Sequence, residues 1–280
     1  MKIEFTKWQG CGNDFVLIDC LEKTLDMDKA LLGKRLCDRH YGIGADGLLL
    51  VEPSTKADFA MCIINADGSE AEMCGNGIRC FARYLYDFKR TEKEEFTVET
   101  GAGILLPKLQ LEEGQVSGIR VDMGEPILSG EDIPVKGFGS SRVIDEPLIV
   151  QGQEYRMTCV SMGNPHCVIF VEDADSFPIG KLGSFFEHHA AFPRKTNTEF
   201  VTVQDPRHLR MRVWERGAAV TLACGTGSCA TLVAGVLTGR TERKAQIRLD
   251  GGTLLVEWAE DNHVFMTGPA ERIFAGSLEV

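Results

Sequence analysis

Two cysteines stand out because of the residues that come directly after them. "AEMCGNGIRC" runs from Ala71 to Cys80, and its close relative "LACGTGSCA" runs from Leu222 to Ala230. In each, a cysteine is followed directly by Gly-x-Gly and then by an apolar, helix-like segment. At a helix start such a turn offers several backbone N–H groups and the positive end of a helix dipole. That arrangement binds an anion such as a carboxylate. It also lowers the pKa of a thiol from about 8.5 toward neutrality. Taken singly, either motif reads equally as a helix-start turn with a buried cysteine. Taken together, they are a disulfide, metal ligands, two anion sites or two halves of one catalytic centre.

Composition narrows the choice. The chain has 280 residues, 44% hydrophobic and 25% charged, with a net charge of −11. This is globular composition with room for one large domain or two medium ones. An acidic chain repels phosphate backbones, so nucleic acid is not an expected partner. No basic amphipathic stretch points to a membrane surface, and no run approaches the roughly 18 apolar residues of a membrane span. "MKIEFTKWQGCGNDFVLIDC" lacks a signal-peptide pattern, so the expected address is cytoplasmic. A reducing cytosol argues against disulfides for the ten cysteines. The absence of C-x-x-C and H-x(3–5)-H argues against a metal, and none is expected. Cys20, Cys37, Cys62, Cys159 and Cys167 sit in apolar runs and read as small buried hydrophobes.

The elements around the two motifs repeat in register. Cys74 and Cys224 are 150 residues apart, as are Asn65 and Glu215, each nine residues before its cysteine. Asn13 and Asn164, both in Gly-Asn pairs before apolar runs, are 151 apart, and so are Asp46 and Asn197. The constant register reads as an internal duplication. Each half is an α/β unit ordered strand, Gly-Asn turn, strand, helix, strand, strand, Cys-Gly-x-Gly turn, helix. Helical spacing covers Asp26 to Arg39, Gly77 to Phe88 and Gly227 to Leu237, the last almost without charge and therefore buried. Alternating, glycine-punctuated strands fill the rest. The fold class is α/β (α+β), with two similar pseudo-twofold-related lobes and the active site expected between them. The lobes are 1–124 with 270–280, carrying Cys74, and 125–269, carrying Cys224. The tail after Pro269 is expected to return to the first lobe as an added strand.

"GIGADG" at Gly42 to Gly47 matches G-x-G-x-x-G, but a helix precedes it and a strand comes after it. A dinucleotide loop needs the reverse order, so the motif is a turn. Two thiols facing one cleft, with amides for a carboxylate, suit one reaction above others. A proton is taken from one face of an α-carbon and another is delivered to the opposite face. One cysteine is then thiolate while the other is thiol, exchanging roles with substrate handedness. The helix amides stabilise the charge that spreads into the carboxylate, and no cofactor is needed.

"GCGNDF", "GIGADG", "NADGSEAEMCGNGIRC", "GNPH", "NTEF" and "WERG…TLACGTGSCA", in this order from Gly10 to Ala230, resemble the diaminopimelate epimerases. The Cys-Gly-x-Gly pairs alone also admit the proline racemases, which usually carry His where Asn76 stands. The resemblance implies two lobes closing over a cofactor-independent site with Cys74 and Cys224 as the acid/base pair. It places Gly75, Asn76, Gly225 and Thr226 on the carboxylate of the reacting centre. Asn13, Asn65, Asn164, Asn197, Glu215 and Arg216 would hold the distal amino-acid end, and Asp46 is placed with them. His166 and Glu215 would tune the thiols. The chemistry agrees, since a distal ammonium suits Glu and amide oxygens, while a distal carboxylate suits Arg. Asn13 also reads as a plain turn residue and His166 as a structural histidine. The resemblance further implies a homodimer acting on diaminopimelate in lysine and cell-wall precursor biosynthesis.

One departure bears on the substrate. The family usually reads "ERG-x-G-E-T-L-A-C", whereas this chain reads "ERGAAVTLAC". Ala219 stands for the glycine, and Val220 for a glutamate four residues before Cys224. The alternatives are a racemase of another amino acid on the same scaffold, a non-catalytic amino-acid-binding protein and a structural zinc protein.

Overall fold

The computed structural model describes residues 2–23 and 25–279. Met1 and Val280, the outer ends of the first expected lobe, lie outside the described residues. The chain divides into two compact units, 1–122 with 267–280 and 123–266.

In the first unit the elements are β1 (Lys2–Gly10), β2 (Asn13–Asp19), α1 (Lys29–Cys37), β3 (Gly47–Glu52), β4 (Phe59–Asn65) and β5 (Glu70–Ala71). They continue as α2 (Gly75–Asp87), β6 (Val98–Thr100), β7 (Gly103–Leu105), β8 (Lys108–Glu112) and β9 (Gln115–Asp122). The second unit holds β10 (Glu146–Val150), β11 (Gln153–Ser161), β12 (Pro165–Phe170), α3 (Ile179–Glu187), β13 (Asn197–Asp205) and β14 (His208–Glu215). After these come β15 (Ala219–Thr221), α4 (Gly225–Leu237), β16 (Lys244–Arg248), β17 (Thr253–Trp258) and β18 (Val264–Gly268). The last strand, β19 (Glu271–Glu279), returns to the first unit and pairs antiparallel with β1.

The duplication read from the sequence is a topological fact. The first sheet runs β19-β1-β2-β3-β4-β6-β7, with β5 on β4; the second runs β10-β11-β12-β13-β14-β16-β17-β18, with β15 on β14. The senses match pair by pair. β1/β2 and β11/β12 are antiparallel, β2/β3 and β12/β13 parallel, β3/β4 and β13/β14 antiparallel, β4/β6 and β14/β16 parallel. Each parallel step is bridged by a helix or a Cys-Gly-x-Gly turn and helix, as crossover connections require.

Both faces of the central strands are covered, so those strands read as continuous apolar runs rather than alternations. In β3, Leu48 and Leu50 join Leu32 and Leu36 of α1 in one core. Leu49 faces the other way, where α2 packs; Gly77 of α2 is its neighbour. The second unit places Phe186 of α3 edge-on to Phe200 of β13, at 5.2 Å between ring centres. Gly183 of α3 lies against Trp214, where an added Cβ would stand 2.3 Å from the indole ring. α4 is buried from Gly227 through Gly235, in keeping with its lack of charge.

Two boundaries shift by a physical cause. The helices expected from Gly77 and Gly227 begin at Gly75 and Gly225. Each cysteine is the N-cap, its sulfur accepting from the amide three residues on, so the Gly-x pair belongs to the first turn. The helix expected from Asp26 to Arg39 is Lys29–Cys37, because the Asp28 carboxylate accepts from Leu31 N and sets its start.

Candidate active site

Cys74 and Cys224 occupy equivalent positions in the two units. Both are N-caps in extended conformation, with φ −142° and −130°. Gly77 N donates to Cys74 Sγ at 3.4 Å, and Gly227 N to Cys224 Sγ at 3.3 Å. Among the described residues no hydrogen bond uses the amides of Gly75 and Asn76, or those of Gly225 and Thr226. Each helix therefore keeps two first-turn donors beside a sulfur, an anion site with a nucleophile or base at its rim. Among the described residues, which include all ten cysteines, no disulfide is formed.

The surroundings of the two sulfurs differ in charge. In the first unit Cys74 Sγ lies 3.7 Å from Asn13 Oδ1, which also accepts from Asn76 Nδ2 at 3.1 Å. Asn13 in turn donates to Asp46 Oδ2 at 2.7 Å, and Asp46 also accepts from Arg39 at 2.8 Å. Asp46 thus anchors Asn13. Asn65 closes the β4–β5 turn, donating to Ser69 Oγ at 2.9 Å.

Sequence reasoning gave no role to Arg79, which is fully buried under this turn. It donates to Asn76 Oδ1 and to the Gly75 carbonyl, both at 2.9 Å, and to the Pro269 carbonyl at 3.1 Å. The planar fork fixes two residues of the anion turn at once. The signal was in the motif itself, where Arg79 comes after Gly-Asn-Gly-Ile.

In the second unit Cys224 is 5% exposed and sits among ionisable groups. His166 Nδ1 is 2.7 Å from Glu199 Oε1, and its Nε2 is 2.9 Å from Asn164 Oδ1. His166, Glu199 and Cys224 offer ligand-type atoms within 4.8 Å of one another. Zinc accepts such N, O and S donors, yet the His–Glu pair is closed on itself by its hydrogen bond. Against the lowering expected of a thiol at a helix start, burial pushes the Cys224 thiol well up, and the carboxylates of Glu215 and Glu199 outweigh the opposing Thr226 hydroxyl and Gly227 amide. Glu215 is itself raised by burial, opposed by the Thr221 hydroxyl that donates to it and reinforced by the charge of Glu199. Cys224 also lies 3.5 Å from Thr226 Oγ1.

Asn197 is buried with both ends of its amide engaged. Its Oδ1 accepts from Arg216 N at 2.8 Å and its Nδ2 donates to the Pro165 carbonyl at 2.9 Å. It thereby ties Arg216 to the Gly-Asn-Pro-His turn. The Arg216 guanidinium reaches the Arg194 carbonyl at 3.2 Å. Glu199 was missed because "NTEF" reads as the start of a strand, and alternation alone does not mark a buried carboxylate. The two departures also find their places. Ala219 has φ +61°, the left-handed region that glycine adopts without cost. Val220 pairs with Trp214 across β14 and β15 and is 40% exposed.

The five cysteines read as hydrophobes are all buried. Burial pushes Cys20, Cys37 and Cys62 up to about 11.

Solved structures of low sequence identity share the duplicated α/β fold. A Bacillus anthracis phenazine biosynthesis protein of the PhzF family superimposes with a TM-score of 0.71 at 15% identity, covering 100% of each chain. A hydroxyproline epimerase from Agrobacterium vitis gives 0.68 at 14%, covering 99% of this chain and 91% of that one. The sequence is more specific. The diaminopimelate epimerase family model matches residues 5–129 and 158–273. A diaminopimelate epimerase from Agathobacter rectalis is 55% identical over 99% of this chain and 100% of its own. One from Moorella thermoacetica is 56% identical over 99% of each. The chain belongs to the diaminopimelate epimerase family, whose members are isomerases. Among the described residues no helix is long and apolar enough to cross a membrane.

Proposed function

We propose that this protein interconverts LL- and meso-2,6-diaminopimelate by a two-base exchange at one α-carbon, with Cys74 and Cys224 as the bases. The carrying observation is the pair of cysteine N-caps, each beside two first-turn amides without a partner, in units of identical topology. One sulfur, as thiolate, takes the α-proton, and the C–H electron pair delocalises into the carboxylate. The helix-start amides of Gly75, Asn76, Gly225 and Thr226 hold that carboxylate and stabilise its developing charge. The other sulfur, as thiol, delivers its proton to the opposite face. The carbon is inverted, and the sulfurs have exchanged protonation states. No cofactor or metal enters the balance.

In this reading Asn13, Asn65, Asn164, Asn197, Glu215 and Arg216 recognise the distal amino-acid end. Asp46 acts through Asn13, and His166 with Glu215 tunes Cys224. The lobes 1–124 with 270–280 and 125–269 present one sulfur each. The protein works in the cytoplasm as a homodimer, in lysine and cell-wall precursor synthesis. Retention of Asn65, Asn164, Asn197 and Arg216 supports diaminopimelate despite Val220, and the curated relatives do not favour the racemase alternative.

The test is α-proton exchange in D2O on the LL and meso isomers. Wild type incorporates deuterium with inversion, and Cys74→Ala and Cys224→Ala each abolish the coupled process. Wild-type rates in either variant, or preferred turnover of proline or histidine, overturn the proposal.

A further inference from the structure

Glu199 takes no direct part in the proton exchange, yet its position calls for a role. It lies on β13 and is fully buried, as is His166 on the neighbouring β12. The His166 ring is held between two oxygens, Oε1 of Glu199 at 2.7 Å from Nδ1 and Oδ1 of Asn164 at 2.9 Å from Nε2. Oε2 makes no hydrogen bond among the described residues. A buried carboxylate oxygen without a donor is costly, and such groups are found where a local charge serves function. Oε1 also lies against the catalytic turn, where a Cβ at Gly227 would stand 2.7 Å from it. Cys74 in the first unit has the amides of Asn13 and Asn76 among its neighbours, with Arg79 beneath.

We propose that Glu199 is a positioning residue for the Cys224 half of the pair. It locks the orientation of His166, and it places a carboxyl group behind the Cys-Gly-Thr-Gly turn. Among the described residues, the ionisable groups facing the Cys224 sulfur include Glu199 from β13, Glu215 from β14 and His166 from β12. α4 adds the Thr226 hydroxyl and the Gly227 amide. Two carboxyl groups there disfavour a thiolate, so the substrate-free protein keeps the proton on Cys224. The inference rests on the two-cysteine reading of the site.

The test compares Glu199→Gln, which keeps shape and loses charge, with Glu199→Asp, which keeps charge. Iodoacetamide alkylation of Cys74 and Cys224 is tracked separately by peptide mass spectrometry across pH in substrate-free protein. The midpoint is read rather than the rate, because burial slows alkylation without moving the titration. In Glu199→Gln the Cys224 midpoint falls by about one pH unit or more, the Cys74 midpoint holds, and kcat drops more than KM changes. Glu199→Asp restores most of the Cys224 midpoint. Should Glu199→Gln not fold, a wild-type Cys224 midpoint at or below the ordinary thiol value of about 8.5 serves as the refuting result. An unchanged Cys224 midpoint in folded Glu199→Gln, or equal shifts in both variants, also overturns the proposal. The alkylation midpoints need no turnover, so they stand apart from the exchange assay that judges the two-cysteine reading.

Discussion

Gly77 and Gly227 hold the same place in the two motifs, the third residue of α2 and of α4, yet alanine will affect them differently. In a helix interior alanine is favoured over glycine by about 1 kcal/mol. At Gly77 the added Cβ would meet Leu49 Cδ2 at 3.3 Å and Cys74 Cβ at 3.4 Å. A shift of a few tenths of an ångström accommodates it, and the helix gain offsets the crowding. At Gly227 it would meet Glu199 Oε1 at 2.7 Å, and both Cβ and Sγ of Cys224 at 3.2 Å. Glu199 is buried and bonded to His166, so it cannot swing away without breaking that bond. Overpacking of this kind costs about 1–3 kcal/mol. After the helix gain, Gly227→Ala loses up to about 2 kcal/mol, while Gly77→Ala stays within about 0.5 kcal/mol of wild type. For a chain of this size the former lowers the melting temperature by up to about 3–4 °C. Urea unfolding with hydrogen exchange by mass spectrometry measures both, and the exchange localises the loss to α4, β12 and β13. Equal losses at the two glycines, or a larger one at Gly77, would refute the reasoning from contact geometry.

Two further outcomes arise from local structure. Ala219→Gly relieves a non-glycine residue at φ +61° on the exposed β15 turn and raises stability by about 0.5–1 kcal/mol in thermal melts; no gain would show that the turn bears no strain. The Lys93 ammonium and both donors of Thr97 hold the Asp58 carboxyl at about 2. A depressed carboxyl contributes stability above its unfolded value of about 3.9 and loses it as pH falls toward 2. The stability gap between wild type and Asp58→Asn therefore holds at pH 6 and closes progressively between about pH 5 and 1; a gap undiminished at pH 2.5 contradicts the ion-pair account.

The duplicated order of strands, helices and Cys-Gly-x-Gly turns was legible because landmarks in fixed register expose a repeat even where the residues differ. The two thiols were legible because glycine after cysteine is a backbone signal. α3 was not placed by its own pattern. Its N-cap is Pro178 without a side-chain cap bond, and its Gly180 and Gly183 weaken the helical reading. Gly183 is there for Trp214, a contact that sequence spacing does not show. Arg79 and Glu199 escaped for a related reason. A charged residue inside an apolar stretch shows its role only when its partners, here Asn76 and His166, are brought beside it by other elements.

The route of the chain gives the two units different histories during synthesis. Residues 123–266 are continuous, and every strand from β10 to β17 is available once that stretch has emerged. The first unit leaves β1 with an open edge until β19, made after the whole second unit, pairs along it from Lys2 to Gln9. A nascent chain halted after residue 122 therefore holds an exposed sheet edge, which invites pairing with other chains. The later-encoded half closes first on the ribosome, and the earlier one waits for the final strand.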